Sequence, residues 1–485
     1  MTPTAPPPAT DVADLPITDH HLPLPNIRTR TCFVVKARLD EDAMKNALDT
    51  LIREHWRRLG ARLHLNTATG LYQYHTPQTF QPGYELFTWS TATKAGSINA
   101  AAPKLMNKPL PEDCEGESGV AFLPCTTAYD AEFHPSWWPY EYSDTPADMP
   151  MMYFHLTFYD DATVIAINVP HLISDQLGLV SMVRGWMGVL DGKTPPSLME
   201  DDPLPASLKW SEMSNEDKHG QKGQLHVRGF GEYFFVAITF VPEMIRQTEK
   251  DYTIFLPMTL VKSVRGRIEE ELEANGNKST ISDQDVLTAI MTKFAHIEKR
   301  PAMISLYQTT NFRGRVPKLM GPEVAGFLSN ATARSSTRFL LSRETPLHEI
   351  ARLNREALIA SLEPGALEKH LAVIREMVHR KQTMHVCEKG ERSYCTVSWT
   401  AAWRDLDFSP AVVGYKDSEK LQQKAQSAPE YFVTGRGDEK TTPHRYHCTI
   451  MFRNEKGYWI DFSGTPKNIA AIKAHLAADP NLEKL

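Results

Sequence analysis

Asn168-Val-Pro-His171-Leu-Ile-Ser-Asp175-Gln-Leu-Gly178 is the stretch on which the fold turns. Ahead of it lie two apolar, β-branched runs, Met152 to Phe158 and Thr163 to Val169, separated by Asp160-Asp161, and together they read as a hairpin. Behind it Leu179, Met182, Val183, Trp186, Met187 and Leu190 repeat at helical spacing, which predicts a helix from Ser174 to about Leu190. A strand thus ends at Pro170, a histidine follows at once, and a helix begins three residues later. The imidazole is expected at a strand exit beside a helix N-terminus, where side chains and backbone donors meet a ligand. A histidine with a free ring nitrogen takes a proton from an alcohol or amine near neutral pH. Asp175 suits a helix cap, and His-x-x-x-Asp spacing alone neither brings the two side chains together nor identifies a function.

Working outward, a second helix announces itself upstream. Asp40 is its predicted cap, Glu41 and Asp42 occupy its positive first turn, and Arg57 and Arg58 close it before Gly60. An apolar strand, Cys32 to Val35, precedes it. Downstream, residues 191–231 change character, with Pro/Gly/Asp-rich segments and a charged run from Ser214 to Lys222, as a linker does. Beyond them a strand is predicted around Tyr233 to Phe240, and another helix opens at Ser282, where Ser282-x-x-Asp285 has capping-box spacing. At 485 residues the chain exceeds the size at which one core stops growing. The expected organisation is a mobile arm at 1–14, an N-terminal domain at 15–190, a crossover linker at 191–231 and a C-terminal domain at 232–485. Alternating strands and helices on both sides of the linker predict an α/β (α+β) pair of domains, each a mixed sheet packed with helices.

Composition excludes several classes. The net charge is −6 and no Lys/Arg-rich block runs along the chain, which argues against a nucleic-acid or anionic-membrane partner. No uncharged apolar stretch approaches the ~18 residues of a membrane span. The proline-rich first residues lack the apolar run of a signal peptide. Six scattered cysteines suit a reducing, cytoplasmic setting better than a disulfide framework, and His385-x-Cys387 with Cys395 has no fourth ligand at zinc-like spacing. There is no Gly-x-Ser-x-Gly elbow for a serine acyl-enzyme.

Five segments, taken in order, resemble the BAHD acyltransferases, specifically their fungal secondary-metabolite branch. They are Leu15-Pro-Ile-Thr-Asp19; Leu51-Ile-Arg-Glu-His-Trp-Arg-Arg-Leu-Gly-Ala-Arg-Leu63; His171-x-x-x-Asp175-x-x-Gly178; Asn311-Phe-Arg313-Gly-Arg315 with Gly326-Phe-Leu-Ser-Asn330-Ala; and Ser398-Trp399 followed eight residues later by Asp407-Phe408. The resemblance implies two chloramphenicol-acetyltransferase-like domains and transfer of an acyl group, acetyl foremost, from acyl-CoA to a hydroxyl or amine of a small-molecule acceptor. It needs neither a metal nor a redox cofactor, and implies a monomer.

Residue by residue, the resemblance makes His171 the general base and Asp175 its support through an ion pair with Arg313. Ser398, Trp399, Gln176 and Asn330 become neighbours of the oxyanion or substrate, and Asp407 becomes structural. By region only, Lys262, Arg265 and Arg267 fall where the CoA phosphates are met. The chain departs from the family pattern at Gln176, where the motif has Gly, and at Asp407-Phe-Ser-Pro-Ala411, where it has Asp-Phe-Gly-Trp-Gly. These departures keep two other readings open: a donor-free enzyme using His171 for cyclisation, epimerisation or elimination, and a non-catalytic metabolite-binding protein.

Overall fold

The computed structural model describes residues 9–105, 109, 111–220, 222–246, 248–415, 428–440 and 444–485. Arg28–Val35, buried along its whole length, runs through a five-stranded sheet. In spatial order that sheet holds Tyr431–Asp438, Arg28–Val35, Thr163–Pro170, Tyr153–Phe158 and Thr88–Thr93. The expected hairpin is its antiparallel pair Tyr153–Phe158 and Thr163–Pro170, with Phe158 opposite Thr163 across the turn. A strand buried on both faces needs near-continuous apolar sequence, and Tyr153-Phe-His-Leu-Thr-Phe158 and Thr163-Val-Ile-Ala-Ile-Asn-Val-Pro170 largely supply it.

The seven-stranded sheet holds, in order, Thr332–Leu341, Ala302–Asn311, Arg392–Ser398, His447–Arg453, Gly457–Gly464, Lys250–Pro257 and Ala121–Pro124. Parallel and antiparallel pairs alternate with helices packed against them, so the architecture is the mixed α/β one that the sequence predicts. The helix at Asp283–His296 is opened by a complete Ser282/Asp285 capping box. The upstream helix, capped by Asp40 through Ala43 N, is α-helical over Glu41–Thr50 and then tightens and widens through short π and 3-10 turns to Gly60.

Each sheet borrows a strand from the far end of the chain. Tyr431–Asp438 pairs with Arg28–Val35, and Ala121–Pro124 pairs with Lys250–Pro257. A buried charge network ties the borrowed strand to both sheets. Asp438 meets Arg30 at 2.8 Å and His444 at 2.6 Å and accepts from the Tyr140 hydroxyl at 2.6 Å, while Arg436 pairs with Asp251 at 3.0 Å. Burial works against the Asp438 carboxylate, yet His444, Arg30 and Arg436 hold its pKa well below the usual range.

Two expectations change. Tyr233–Phe240 is not a strand but part of a helix, Phe230–Arg246. An unbroken run of aromatic and β-branched residues carries no period of its own, and length favours the helix. Several of its apolar residues face outward, Phe230 and Ile245 being 86% and 78% exposed. Thr10–Asp14, expected in a mobile arm, pairs antiparallel with Leu71–Pro77, while residues 1–8 lie outside the described ones. The described residues of 191–229 carry only short helical turns, and the segment lies against the folded body, with Trp56 Nε1 donating to Pro196 O and Met199 N to Gly326 O. No helix among the described residues is long and apolar enough to cross a membrane.

The turn at Asp407-Phe-Ser-Pro-Ala411 is closed by Ser409 N donating to Asp407 Oδ1 at 2.9 Å. Phe408 enters the core against Phe33, which also meets Trp403 edge-on at a ring separation of 5.3 Å. Phe33→Ala is expected to cost about 3–5 kcal/mol, the usual toll of emptying a buried aromatic site. A chemical-denaturation midpoint that fails to move would mean that this aromatic cluster does not hold the segment.

Candidate active site

The strand Thr163–Pro170 delivers His171, and Arg28 fixes where that strand ends. The buried Arg28 guanidinium donates to Asn168 Oδ1 at 2.7 Å, Met151 O at 2.7 Å and Thr145 Oγ1 at 3.0 Å. Asn168 passes the constraint on by donating to Pro139 O. His171 itself is held by its backbone: its N–H donates to Ile27 O at 2.9 Å, and its carbonyl accepts from Asn330 Nδ2 at 2.8 Å. The backbone thus anchors the residue, and Nδ1 of the ring has no hydrogen-bond partner among the described residues. Burial lowers the imidazole pKa below its ordinary value; Arg334 pushes the same way and Asp175 opposes. At neutral pH the ring is uncharged, as a proton acceptor must be.

Asp175 does not touch the imidazole, because its carboxylate is committed elsewhere. Oδ1 accepts from Gly178 N at 2.8 Å and caps the helix Gln176–Leu190. Oδ2 accepts from Arg313 Nη1 at 2.7 Å and from Ala331 N at 3.0 Å. The expected Asp175–Arg313 ion pair is present with both side chains buried, and Arg313 also donates to Ser329 O. Gly178 is obligatory here: a Cβ at this position would lie 1.9 Å from Leu328 O. Gly326 is equally cramped, against Ser197 O. Gly178 lets the loop 326–330 press onto the start of the helix beside His171, and Gly326 lets the same loop lie against Ser197 and Leu198.

The sequence reading missed Asp19 as a member of the site, although it quoted the segment. Asp19 is fully buried and its Oδ1 accepts from both Asn330 N and Asn330 Nδ2. Asn330 therefore bridges Asp19 and the His171 carbonyl. His21 and His370, which no spacing rule singles out, line a small cavity with Asn330 and Arg334. Burial holds both imidazoles down to about 3, so they too are neutral.

Gln176 is buried at the first turn of the helix. Its Oε1 accepts from Thr31 Oγ1 at 3.3 Å, and its Nε2 has no partner among the described residues. Ser398 and Trp399 end the strand Arg392–Ser398; Trp399 N donates to Ile450 O, and the indole joins the same core as Leu172 and Ile173. The Asp407 carboxylate closes its own turn, accepting from Ser409 N. Lys262, Arg265 and Arg267 sit apart, on the helix Met258–Ala274 that packs against the helices of the second half. Arg265 is paired with Glu269 and Asp283, and Arg267 donates to Asn481 O and Leu482 O.

Asp175→Asn retains the cap but removes the charge opposite Arg313, and breaking a buried pair costs about 3–5 kcal/mol. The variant is expected to unfold at lower denaturant. If the double variant Asp175→Asn/Arg313→Leu does not recover part of that loss, the pair is not coupled as drawn.

No family model matches the chain. Acetyltransferase adrJ of Penicillium rubens is 25% identical to it over 423 residues, 82% of this chain and 81% of that protein. Transcriptional regulator sdnM of Sordaria araneosa is 24% identical over 450 residues, 87% of each chain. Among solved structures, F. sporotrichioides TRI101 complexed with coenzyme A and T-2 superposes with a TM-score of 0.63 at 13% identity, over 96% of this chain and 97% of that one. Vinorine synthase does so with a TM-score of 0.55 at 12% identity, over 96% and 93%. With two interlocked mixed sheets, the chain shares the fold of these acyltransferase structures, and in sequence it is similar to a fungal acetyltransferase at about a quarter identity over most of both chains.

Proposed function

We propose that the chain moves an acyl group, acetyl foremost, from acyl-CoA to a hydroxyl or amine of a small-molecule acceptor, with His171 as general base. The observation that carries this reading is an uncharged imidazole held by its backbone at a strand exit, with its neighbouring carboxylate turned to structural use. His171 takes the proton from the acceptor, whose oxygen or nitrogen forms a bond to the thioester carbonyl carbon. The tetrahedral adduct then expels the CoA sulfur, which receives the proton back from the imidazolium. One acyl–sulfur bond breaks, one acyl–oxygen or acyl–nitrogen bond forms, and no covalent enzyme intermediate is needed.

The unpaired Nε2 of Gln176 is a buried donor in the same helix turn, and with Ser398 and Trp399 it is assigned to the oxyanion and acceptor side. One such donor is worth about 2.7–4 kcal/mol in a water-poor site. For the CoA phosphates the assignment rests on the region of Lys262, Arg265 and Arg267, of which Lys262 is exposed on its helix. The names adrJ and TRI101, the latter with coenzyme A bound, support the donor class. A DNA-binding role, suggested by the name of the sdnM relative, finds no support in a chain of net charge −6.

His171→Ala is expected to lower kcat by ~10²–10⁴-fold while acetyl-CoA binding, followed by calorimetry, is retained. An unchanged rate, or labelled acetyl found covalently on the protein, would sink the mechanism. Because burial lowers the His171 pKa, the base stays deprotonated below the ordinary imidazole range. The acid limb of the kcat profile is therefore expected at a pH below about 6.5, with a flat rate through neutrality. An acid limb centred above that value would contradict the buried, neutral ring.

A further inference from the structure

At the end of the seven-stranded sheet remote from His171 lies a cavity of about 550 Å³. It opens where Ala302 begins one strand and Arg392 begins its neighbour, whereas Asn311 and Ser398 end those strands on the His171 side. Nine strand steps at ~3.3 Å put the two ends of Ala302–Asn311 about 30 Å apart. The cavity is thus separate from the base and from the loop 326–331 that supports it.

Its lining inverts the charge of the molecule. Lys293, Lys299 and Arg300 come from the end of the helix Asp283–His296 and the turn after it. Arg343 and Arg392 come from strand ends, and Lys467 and Lys484 from the C-terminal helix and the residues after it. Among the described residues these seven cations face one acidic side chain, Glu298, in a chain whose overall charge is −6. A concave wall lined by one sign focuses field and concentrates counter-ions.

Lys293 Nζ donates to Ser342 O, Arg343 O and Thr345 O, and Lys467 pairs with Glu298 at 3.2 Å. Lys293 so holds the turn that carries Arg343. Between the cations the floor is apolar, formed by Ile297, Met303, Ile304, Leu341 and Ala471. Ligand cavities run from about 300 to 1,000 Å³, with apolar walls and a few charged groups to orient the ligand, and this cavity has those properties.

We propose that this cavity binds a phosphorylated organic anion of nucleotide size, its phosphate among the basic side chains and its ring or chain on the apolar floor. The site is independent of acyl transfer at His171. Its test uses pyridoxal 5′-phosphate, an aromatic phosphate whose aldehyde condenses with a lysine amine, losing water, to an imine that borohydride reduces to a stable secondary amine. Lys467 and Lys484, both exposed, are the cavity amines open to it, whereas Lys293 is closed off by its three carbonyl partners.

Peptide mapping is expected to place the label first on lysines of this cavity, competed by inorganic pyrophosphate but not by pyridoxal, which lacks the phosphate. Arg300→Glu/Arg343→Glu is expected to weaken binding by about tenfold or more and to leave acyl transfer unchanged, since neither residue belongs to the His171 site. Circular dichroism and the retained transferase rate establish that the double variant is folded. Label spread over surface lysines without preference, label on Lys262, or binding untouched by the charge reversal would overturn the proposal.

Discussion

One carboxylate organises the centre of the molecule. Asp175 accepts from the helix it caps, from a backbone N–H of the loop 326–331, and from Arg313, so three segments from both halves of the chain converge on two oxygen atoms. A buried carboxylate is tolerated only when its lone pairs are met by donors, and here they are. The helix start, the loop that carries Asn330 and the turn that carries His171 are therefore positioned by one electrostatic requirement. Gly178 is its steric counterpart, since any side chain there would hold the helix start and the loop apart. The same commitment keeps Asp175 from bonding the imidazole, whose pKa is lowered chiefly by burial, with the Asp175 charge opposing and Arg334 adding to the shift.

Around this centre the two sheets are joined by more than contact. The strand Tyr431–Asp438 leaves the second half to complete the first sheet, and Ala121–Pro124 does the reverse. Arg436 and Asp438, on the borrowed strand, reach charged partners on both sides, which desolvates a set of charges that must remain paired. Asp19, near the chain start, holds Asn330 in the other half by the same logic. The seam beside His171 is consequently built from long-range pairings between distant parts of the sequence.

That explains which features were legible beforehand. The hairpin before His171, the Asp40 cap and the Ser282/Asp285 box are local, and a strand or a cap declares itself within a few residues. The Asp175–Arg313 pair came from motif order, not from spacing. What could not be read is non-local: the exchanged strands, the Asp19–Asn330 bridge and the cavity histidines His21 and His370 have no signature of sequence separation. The helix Phe230–Arg246 was misread because a continuous apolar run fits either element. Arg265 and Arg267 are placed by region alone, and sequence position offers no view of the neighbouring carboxylates and chain-end carbonyls to which they donate. The altered Asp407 segment, which raised doubt about the donor side, is a closed turn with Phe408 as its core anchor.

The strand exchange has a consequence for how such a chain diversifies. A half that is duplicated, traded with another gene or shed would leave behind a sheet missing an edge strand, with unpaired backbone groups inviting aggregation. The two halves are thus inherited as a single indivisible unit. A relative at about a quarter identity accordingly aligns with the chain across both halves, over most of its length.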